Sequence, residues 1–209
     1  DDEIDMGNVH DVTTNDVSLC IWSKTTEDAG ADLPIGKRNA AGSTAGYRLR
    51  QNNDDSLSFA ASDGTDLINT SSGTDNDGVW TFVCGTWNAA STTGELFINA
   101  SIVSSDSDVL VGSLSTTAVF QIGETADDTD DYTGALSYGL VWTSKIMTTV
   151  EMSEFMWKPD TAEIASGFWP FWGDSPEIDL SANANTGTVT GATTSGDGPP
   201  VGFGGLLPL

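Results

Sequence analysis

The sequence predicts an all-β fold, a sandwich of two antiparallel sheets with one short helix. Apolar and polar residues alternate over many short segments, which is typical of strands because successive side chains project to opposite faces. Clusters of Gly, Asn, Asp and Ser separate these segments at short, regular intervals, as they do in sandwich proteins. Only one segment, near residue 150, has apolar residues at helical spacing. The length of 209 residues fits one domain with a sizeable core.

Residues 77–101 form the stretch around which the other segments are organised. Its first half carries apolar side chains on both faces, with Val83 on one and Phe82 on the other. Such a strand is covered on both sides. Residues 88–94 are small and polar and are predicted to form a loop, and residues 95–103 return as a second alternating strand. The stretch is therefore a predicted hairpin in the middle of a two-layer protein.

The other predicted strands flank this hairpin on both sides in the sequence. They lie at residues 4–6, 17–24, 35–38, 47–51, 57–61, 67–71, 109–114, 119–123 and 134–142. Turn-forming residues bound them, such as the Asn-Asn-Asp-Asp run at residues 52–55.

The one predicted helix lies within residues 145–158. Thr148 and Glu151 have the spacing of a capping box, in which each side chain binds the backbone N–H of the other residue. An apolar stripe begins at Met152, and Pro159 ends the helix because proline lacks the N–H that the next turn needs.

The charge of the chain limits its partners. Seven Lys and Arg stand against 31 Asp and Glu, a formal net charge of -24. A surface of this sign repels nucleic acid and anionic bilayers, so neither is an expected partner. The excess favours solubility, and acidic surfaces also bind divalent cations. No run of 18 apolar residues is present, so no membrane-spanning helix is predicted.

Cys20 and Cys84 are the only cysteines, and each lies inside a predicted strand that also contains tryptophan. Two readings stay open. The pair forms an inter-strand disulfide if the two strands adjoin, or it remains two buried free thiols. The cysteines therefore do not indicate whether the chain works in an oxidising or a reducing compartment.

Six segments carry a resemblance to a known family. They are DEIDMG at 2–7, VSLCIWSK at 17–24, VWTFVCGTWN at 79–88, ELFINA at 95–100, FQIG at 120–123 and YTGALSYGLVW at 132–142. In this order they resemble the laminin G-like (LamG) jelly roll of the concanavalin A-like lectin and glucanase superfamily, over residues 1–157. The resemblance implies a two-sheet antiparallel jelly-roll sandwich of concanavalin A-like type.

The carboxy-terminal segment suggests a changed order of the chain. Residues 167–170 and 179–191 resemble the segment that precedes the opening strand in this family, yet here they come last. We therefore expect a circularly permuted jelly roll over residues 1–192, in which residues 165–192 supply an edge strand beside the amino-terminal strand. Sandwich termini often lie close together, so this order is sterically feasible. Alternatively, the segment begins a second repeat or pairs with a neighbouring chain.

The resemblance also raises the question of glucanase activity, which needs alternate carboxylates in an E-x-D-x-E pattern on one strand. Glu3 and Asp5 lack the final acid, and so do Glu177 and Asp179. Both pairs are interpreted as turn and edge carboxylates, and the protein is not expected to be an enzyme. His10, the sole histidine, is predicted to lie exposed in a turn.

Two sets of residues are candidates for ligand binding. Trp87, Trp169 and Trp172 lie near predicted turns and could stack on sugar rings, although core packing is the alternative. The loop residues Asp127, Asp128, Asp130 and Asp131 offer hard oxygen ligands for Ca²⁺, the one cofactor considered; a solvated acidic loop is the alternative.

Residues 193–209 form a predicted tail rich in Gly and Pro. Its apolar residues Phe203, Leu206, Leu207 and Leu209 would be an aggregation liability if exposed. The tail is either disordered or lies in a groove on a partner subunit. A sandwich of this type with such a tail is similar to proteins of marine bacteriophages and marine bacteria.

The resemblance leads to a functional hypothesis. The chain is expected to be a non-catalytic protein on a virion surface or outside the cell. The leading hypothesis is a phage capsid-decoration or fibre-like protein that binds glycans. Its tail would contact other virion subunits or copies of the chain. The alternative is a carbohydrate-binding or adhesion module of a secreted marine bacterial protein, and a glucanase-like hydrolase comes third.

Overall fold

A computed structural model describes residues 2–25, 32–38, 44–52, 54, 56–72, 78–110, 112–124, 132–159, 165–171 and 175–201. These residues form two antiparallel sheets, one of seven strands and one of six, and one described helix. The predicted two-sheet antiparallel jelly-roll sandwich is confirmed. The described helix, nine residues long, is not long enough to cross a membrane.

The chain crosses between the sheets several times, and β3 to β6 are consecutive in one sheet and β7 to β9 in the other. They are β1 (Glu3–Asp5), β2 (Val17–Thr25), β3 (Asp32–Lys37), β4 (Gly46–Gln51), β5 (Leu57–Ser62), β6 (Leu67–Asn69), β7 (Thr81–Asn88), β8 (Thr93–Ile98), β9 (Ser101–Ser107), β10 (Gln121–Ile122), β11 (Gly134–Trp142), β12 (Gly167–Trp169) and β13 (Thr188–Thr190), and the helix α1 is Thr149–Trp157. The seven-stranded sheet has the order β13-β1-β10-β3-β4-β5-β6, and the six-stranded sheet has the order β12-β11-β2-β7-β8-β9.

The central hairpin forms as predicted, but its second strand is shorter. β7 pairs with β8, which ends at Ile98, and Asn99 and Ala100 turn the chain into β9. Both turn residues have positive φ, 49° and 60°. Asn tolerates this conformation, but Ala is not typical of such turns, so the sequence does not predict the turn. The predicted single strand over 95–103 is therefore two strands.

The main core lies between the sheets and is built from the inward residues of both. Phe59 of β5 packs directly over Gly85 of β7, where a Cβ would lie 2.1 Å from the Phe59 ring. Gly85 therefore makes the space that this ring fills. Leu49 and Leu19 are fully or almost fully buried in the same core.

A second apolar layer covers the outside of the six-stranded sheet. A row of paired residues crosses the sheet there, namely Phe168, Leu140, Cys20, Cys84, Phe97 and Ile102. Helix α1 packs its buried residues Met152, Phe155 and Met156 against this face. Cys20 and Cys84 form a disulfide, so the interpretation as an inter-strand disulfide is confirmed and that of two free thiols is wrong.

The predicted capping box of α1 is present. The Thr148 side chain accepts from the Glu151 backbone N–H, and the Glu151 side chain accepts from the Thr148 N–H. The helix begins at Thr149 rather than near residue 145 because Thr148 has extended backbone angles, as an N-cap residue does.

The carboxy-terminal segment supplies an edge strand to each sheet. β12 pairs with β11, and β13 pairs with β1, so that Ile4 lies opposite Val189. The segment thus lies beside the amino-terminal strand, as expected, but as two strands rather than one. That its place reflects a circular permutation stays a prediction.

The predicted strand at 109–114 is not found, since residues 109–110 and 112–114 lie in no described strand. The strand that precedes it, β9, consists largely of Ser and is mostly exposed. Because both of its faces contact solvent, it has no apolar alternation that could mark it in the sequence. The strand predicted at 119–123 is reduced to Gln121–Ile122.

The tail contacts its own chain at its start. Lys24 forms an ion pair of 2.5 Å with Asp197, and Val201 packs against the apolar layer outside the six-stranded sheet. Residues 202–209, with Phe203, Leu206, Leu207 and Leu209, lie outside the described residues.

Candidate binding site

Two of the three tryptophans proposed for sugar stacking are buried. Trp87 is 2% exposed and Trp169 is 0% exposed, both in the core between the sheets. Trp169 stacks on Phe120 with a ring separation of 5.4 Å, and its Nε1 donates to the Asn185 carbonyl. A stacking platform needs an open ring face, so this prediction is wrong for both residues. Trp172 lies outside the described residues.

The calcium hypothesis rests on residues that are not described. Asp127, Asp128, Asp130 and Asp131 all lie in the stretch between residues 124 and 132 that the structure leaves out. Among the described residues, no group of three or more His, Cys, Asp or Glu side chains could hold a metal ion. The loop site for Ca²⁺ therefore stays a prediction.

Asp179 and Glu177, which the sequence suggested were turn and edge carboxylates, are buried groups that bind the backbone. Asp179 Oδ1 accepts from the backbone N–H of Phe168 at 2.9 Å and of Ser181 at 2.8 Å, and its Oδ2 accepts from the Asn185 N–H at 2.8 Å. Glu177 Oε1 accepts from the Phe171 N–H at 2.7 Å. Both carboxylates hold the irregular backbone of the carboxy-terminal segment, because buried N–H groups need acceptors.

The other acidic pair lies on β1, the second strand of the seven-stranded sheet. Glu3 Oε2 accepts a hydrogen bond from the Gln121 side chain, and Asp5 Oδ1 accepts from the Gly7 N–H at 2.6 Å. The turn interpretation fits Asp5, but β1 lies between β13 and β10, so the edge interpretation is wrong for this pair.

His10 is buried rather than exposed, which corrects the sequence prediction. It is 9% exposed, and its ring packs edge-on against Phe120 and Trp169 at 5.0 and 5.5 Å. Burial lowers the His10 pKa from 6.5 to about 4, against a smaller opposing effect of the Asp179 charge. The ring is therefore neutral at neutral pH and serves as a packing group between the amino-terminal loop and the carboxy-terminal segment.

Two arginines of β4 lie on the side of the seven-stranded sheet that faces away from the core, where Arg48 is buried and Arg50 is partly exposed. Tyr47 and Leu49 of β4 face the core, so Arg48 and Arg50 project to the outside. Gly36 lies opposite Arg48 on β3, where a Cβ would lie 2.6 Å from the Arg48 Cβ. The glycine thus leaves room for the arginine on the neighbouring strand.

A polar cavity of about 460 Å³ opens beside Arg50, where β4 turns into β5. We call it the hairpin cavity; it is lined by Arg50, Asn52, Asp54, Ser56, Asn69 and Ser71.

Hydrogen bonds hold this lining in place. The Ser56 hydroxyl donates to Asp54 Oδ1 at 2.7 Å, and it accepts from Asn52 Nδ2 at 3.0 Å and from the Ser71 hydroxyl at 3.0 Å. On the far side, the Asn69 backbone N–H donates to Asp106 Oδ2 at 2.9 Å, which ties β6 to β9 of the other sheet. The polar groups are thereby preorganised.

The chemistry of the lining suits a ligand with many polar groups. The guanidinium of Arg50 offers donors, the Asp54 carboxylate offers acceptors, and the Asn69 amide offers both. The hydroxyl and the backbone N–H of Ser56 lower the pKa of Asp54, so this carboxylate is ionised at neutral pH. Since the described residues that line the cavity include no aromatic ring, recognition by them would depend on hydrogen bonds and charge.

A second cavity of about 430 Å³ lies near the β7–β8 loop, lined by Thr14, Asn15, Asp16, Ala89, Ala90 and Ser144. Its one charged side chain, Asp16, uses Oδ1 to accept from the Ala89 N–H at 2.9 Å. It therefore offers fewer groups to a ligand, and we prefer the hairpin cavity as the candidate site.

Sequence reasoning missed the hairpin cavity. It identified residues 52–55 only as a turn, although the alternation of Arg48 and Arg50 with core residues marks an outward basic pair. Asn69 and Ser71 reach the site only because β5 pairs with β6.

Solved structures share this fold at low sequence identity. A protein from Bacteroides ovatus ATCC 8483, provisionally assigned as carbohydrate binding, superposes with a TM-score of 0.74 at 13% identity, over 97% of this chain and 60% of that chain. The chain thus spans less than two thirds of the length of that protein. A SAP-like pentraxin from Limulus polyphemus gives a TM-score of 0.57 at 16% identity, covering 74% of both chains.

A third similar structure is the CBM40 module of the Ruminococcus gnavus IT-sialidase bound to α2,3-sialyllactose. It has a TM-score of 0.54 and 12% identity, over 66% of this chain and 81% of that chain. No curated protein matches the sequence.

A family model also matches the sequence itself. The Laminin_G_3 model, described as concanavalin A-like lectin/glucanases superfamily, covers residues 1–148. The matched region runs from β1 through β11, and β12 and β13 come after it. The chain therefore belongs to the Laminin_G_3 family of the concanavalin A-like lectin and glucanase superfamily.

Proposed function

We propose that this protein is a non-catalytic carbohydrate-binding module that binds its glycan in the hairpin cavity. The observation that carries the proposal is the lining itself: Arg50, Asp54 and Asn69 line an open cavity of about 460 Å³, in which hydrogen bonds join Asp54, Ser56 and Ser71. Sugar hydroxyls both donate and accept, so they match a mixed set of guanidinium, carboxylate and amide groups.

The similar structures support a binding role. The Bacteroides ovatus protein is provisionally assigned as carbohydrate binding, and the Ruminococcus gnavus module was solved with α2,3-sialyllactose. The roles of Asp179 and Glu177 also favour binding over hydrolysis, because both carboxylates are buried and accept backbone hydrogen bonds. A glycosidase instead needs a pair of carboxyl groups facing one sugar.

The finer proposal is that the module is displayed outside the cell or on a phage virion, as a decoration or fibre-like protein. The Cys20–Cys84 disulfide supports an oxidising location, since such bonds are rare in cytosolic proteins. The uncharged end of the tail supports attachment to another subunit.

Binding is tested on a glycan array with the full chain, followed by titration calorimetry on the best ligand. We expect Asn69→Ala to weaken binding at least several-fold, because it removes a cavity amide whose side chain is exposed. The matched control is Asn15→Ala in the second cavity, which should leave the affinity unchanged. If no glycan binds, or if Asn15→Ala rather than Asn69→Ala weakens binding, the proposed site is wrong.

The display role is tested separately by light scattering of the full chain and of a variant with Phe203, Leu206 and Leu207 replaced by serine. An attachment tail predicts association that the variant loses. A monomer in both cases would favour the free adhesion module.

A further inference from the structure

We infer that strand β9 is the docking edge for the apolar tail of a second copy of this chain, whose residues 203–209 add to the six-stranded sheet by β-strand addition. This inference rests on the attachment role proposed above for the tail, and it names the partner and the receiving surface. It follows from the exposed edge of that sheet and from the distribution of charge.

β9 is the one long sheet edge in the described part of the chain. The other edge strands, β13, β6 and β12, have three residues each, whereas β9 has seven. Among the described residues β9 pairs only with β8, so its other side is open to a further strand. Short edge strands limit such pairing, whereas an extended peptide can add to a long edge through main-chain hydrogen bonds.

Two apolar side chains are exposed on this edge. The apolar row across the outer face of the six-stranded sheet ends at Ile102, which is 52% exposed although its partner Phe97 is buried. Val103, 44% exposed, is the extra residue of a β-bulge that interrupts the pairing of β8 with β9. Residues 104–107 form the regular part of the edge. Ile102 and Val103 therefore offer an apolar contact beside a strand that can accept hydrogen bonds.

Side chains hold β9 in place against the other sheet. Asp106 Oδ2 accepts from the Asn69 backbone N–H at 2.9 Å, and the Ser104 hydroxyl accepts from the Ser71 N–H at 3.3 Å. The edge is thus ordered before a partner arrives, which lowers the entropic cost of adding a strand.

The edge and the tail carry very little charge in a strongly acidic chain. The formal net charge is -24, so two copies repel each other wherever their acidic surfaces meet. β9 has one charged side chain, Asp106, and its two oxygens accept from the N–H groups of Asn69 and Ser107. Residues 198–209 contain no charged side chain. A contact between these two segments therefore avoids the juxtaposition of like charges.

The described part of the tail reaches the apolar layer outside the six-stranded sheet. Lys24 binds Asp197, and Val201 packs against this layer. Residues 202–209 follow, and an extended chain of this length spans about 26 Å. That is long enough to lie along a strand of seven residues.

The direction of the tail favours a second copy over its own sheet. Lys24 lies at the end of the sheet where β9 begins, because Trp22 is opposite Phe82 and the Phe82 carbonyl accepts from the Asn99 N–H. A tail that continued from this end along its own β9 would run parallel to it. The tail of a second copy can instead run antiparallel, as β8 does, and antiparallel pairing is slightly more stable.

Sedimentation velocity of the full chain over a range of concentrations tests the docking. We expect the wild-type chain to associate and Val103→Lys to weaken the association at least about tenfold, because a charged side chain on the edge opposes strand addition. Val150→Lys is the matched control, since it makes the same change at an exposed position of α1, and it should leave the association unchanged. The variant with Phe203, Leu206 and Leu207 replaced by serine should lose the association.

Cross-linking identifies the chain that supplies the tail. Ser105→Cys on β9 and Leu206→Cys in the tail are made in separate proteins, mixed and oxidised with copper phenanthroline; the native cysteines are already paired. We expect the mixture to form a covalent heterodimer several-fold faster than a mixture of Leu206→Cys with Ser153→Cys, which changes an exposed serine of α1. A chain that carries both Ser105→Cys and Leu206→Cys should cross-link to other copies.

A cross-link within one chain that carries both changes, without dimers, would show that the tail docks on its own copy and would overturn the inference. If the serine variant of the tail dissociates while Val103→Lys does not, the tail binds elsewhere, and only the attachment role remains. A wild-type chain that stays monomeric at every concentration also contradicts docking on β9, whereas the carbohydrate-binding role is decided by glycan binding alone.

Discussion

Cys20 of β2 lies directly opposite Cys84 of β7, and a disulfide joins them across the outer face of the six-stranded sheet. Their Cα atoms are 4.1 Å apart, and 64 residues separate them in the sequence. The bond therefore joins two central strands beneath the layer to which helix α1 belongs.

Removing this disulfide should destabilise the protein by about 4 kcal/mol, because the bond limits the entropy of a long loop in the unfolded chain. Cys20→Ala, Cys84→Ala and the double variant are compared by urea unfolding. Since either single change breaks the bond, the second should add little to the first. Additive losses would show that the two residues do not act as a pair.

Stability should fall as the pH decreases from 6.5 to about 4 because of His10. Its folded pKa is about 4 against 6.5 when unfolded, so the unfolded chain binds the extra proton in this window. The loss is on the order of 3 kcal/mol and is absent above pH 6.5. Asn suits the positive φ of 57° at this position, so His10→Asn should fold normally and should remove this part of the dependence of stability on pH. Equal slopes in the two proteins would contradict the prediction.

Gly85→Ala should cost about 2 to 4 kcal/mol, since the new methyl group would lie 2.1 Å from the Phe59 ring in the packed core. Gly196→Ala is the matched control, because no atom lies within 4 Å of the added Cβ. Thermal unfolding measures both. A small effect at Gly85 would mean that the two sheets can separate locally without loss.

Thr148→Ala should cost about 1 kcal/mol, because it removes one half of the capping box at the start of α1. Thr149→Ala changes the neighbouring exposed threonine inside the helix and should have almost no effect. Urea unfolding followed by circular dichroism compares the two. The prediction fails if both variants lose the same stability.

The sequence predicts best those elements whose signals are local. The β7 strand carries apolar residues on both faces and is covered on both sides, as predicted. The spacing of Thr148 and Glu151 correctly marks the capping box of α1, although the predicted range began before the helix does. The turn at Asn99 and Ala100 has no glycine, so the sequence does not separate β8 from β9.

Burial was predicted less well because it depends on distant segments. His10 and Trp169 lie near turns in the sequence, yet they pack against each other once β13 joins β1 and β12 joins β11. The hairpin cavity likewise combines Arg50 and Asp54 with Asn69 of another strand. No local sequence pattern predicts that residues from these different strands come together.

The pairing of β1 with β13 has a consequence for synthesis. Ile4 emerges from the ribosome long before Val189, which lies opposite it. One side of β1 therefore has no strand partner while the residues between the two are synthesised. Neighbouring nascent chains on a polysome could pair at this site during that interval, so slow translation of the intervening residues would favour misassembly.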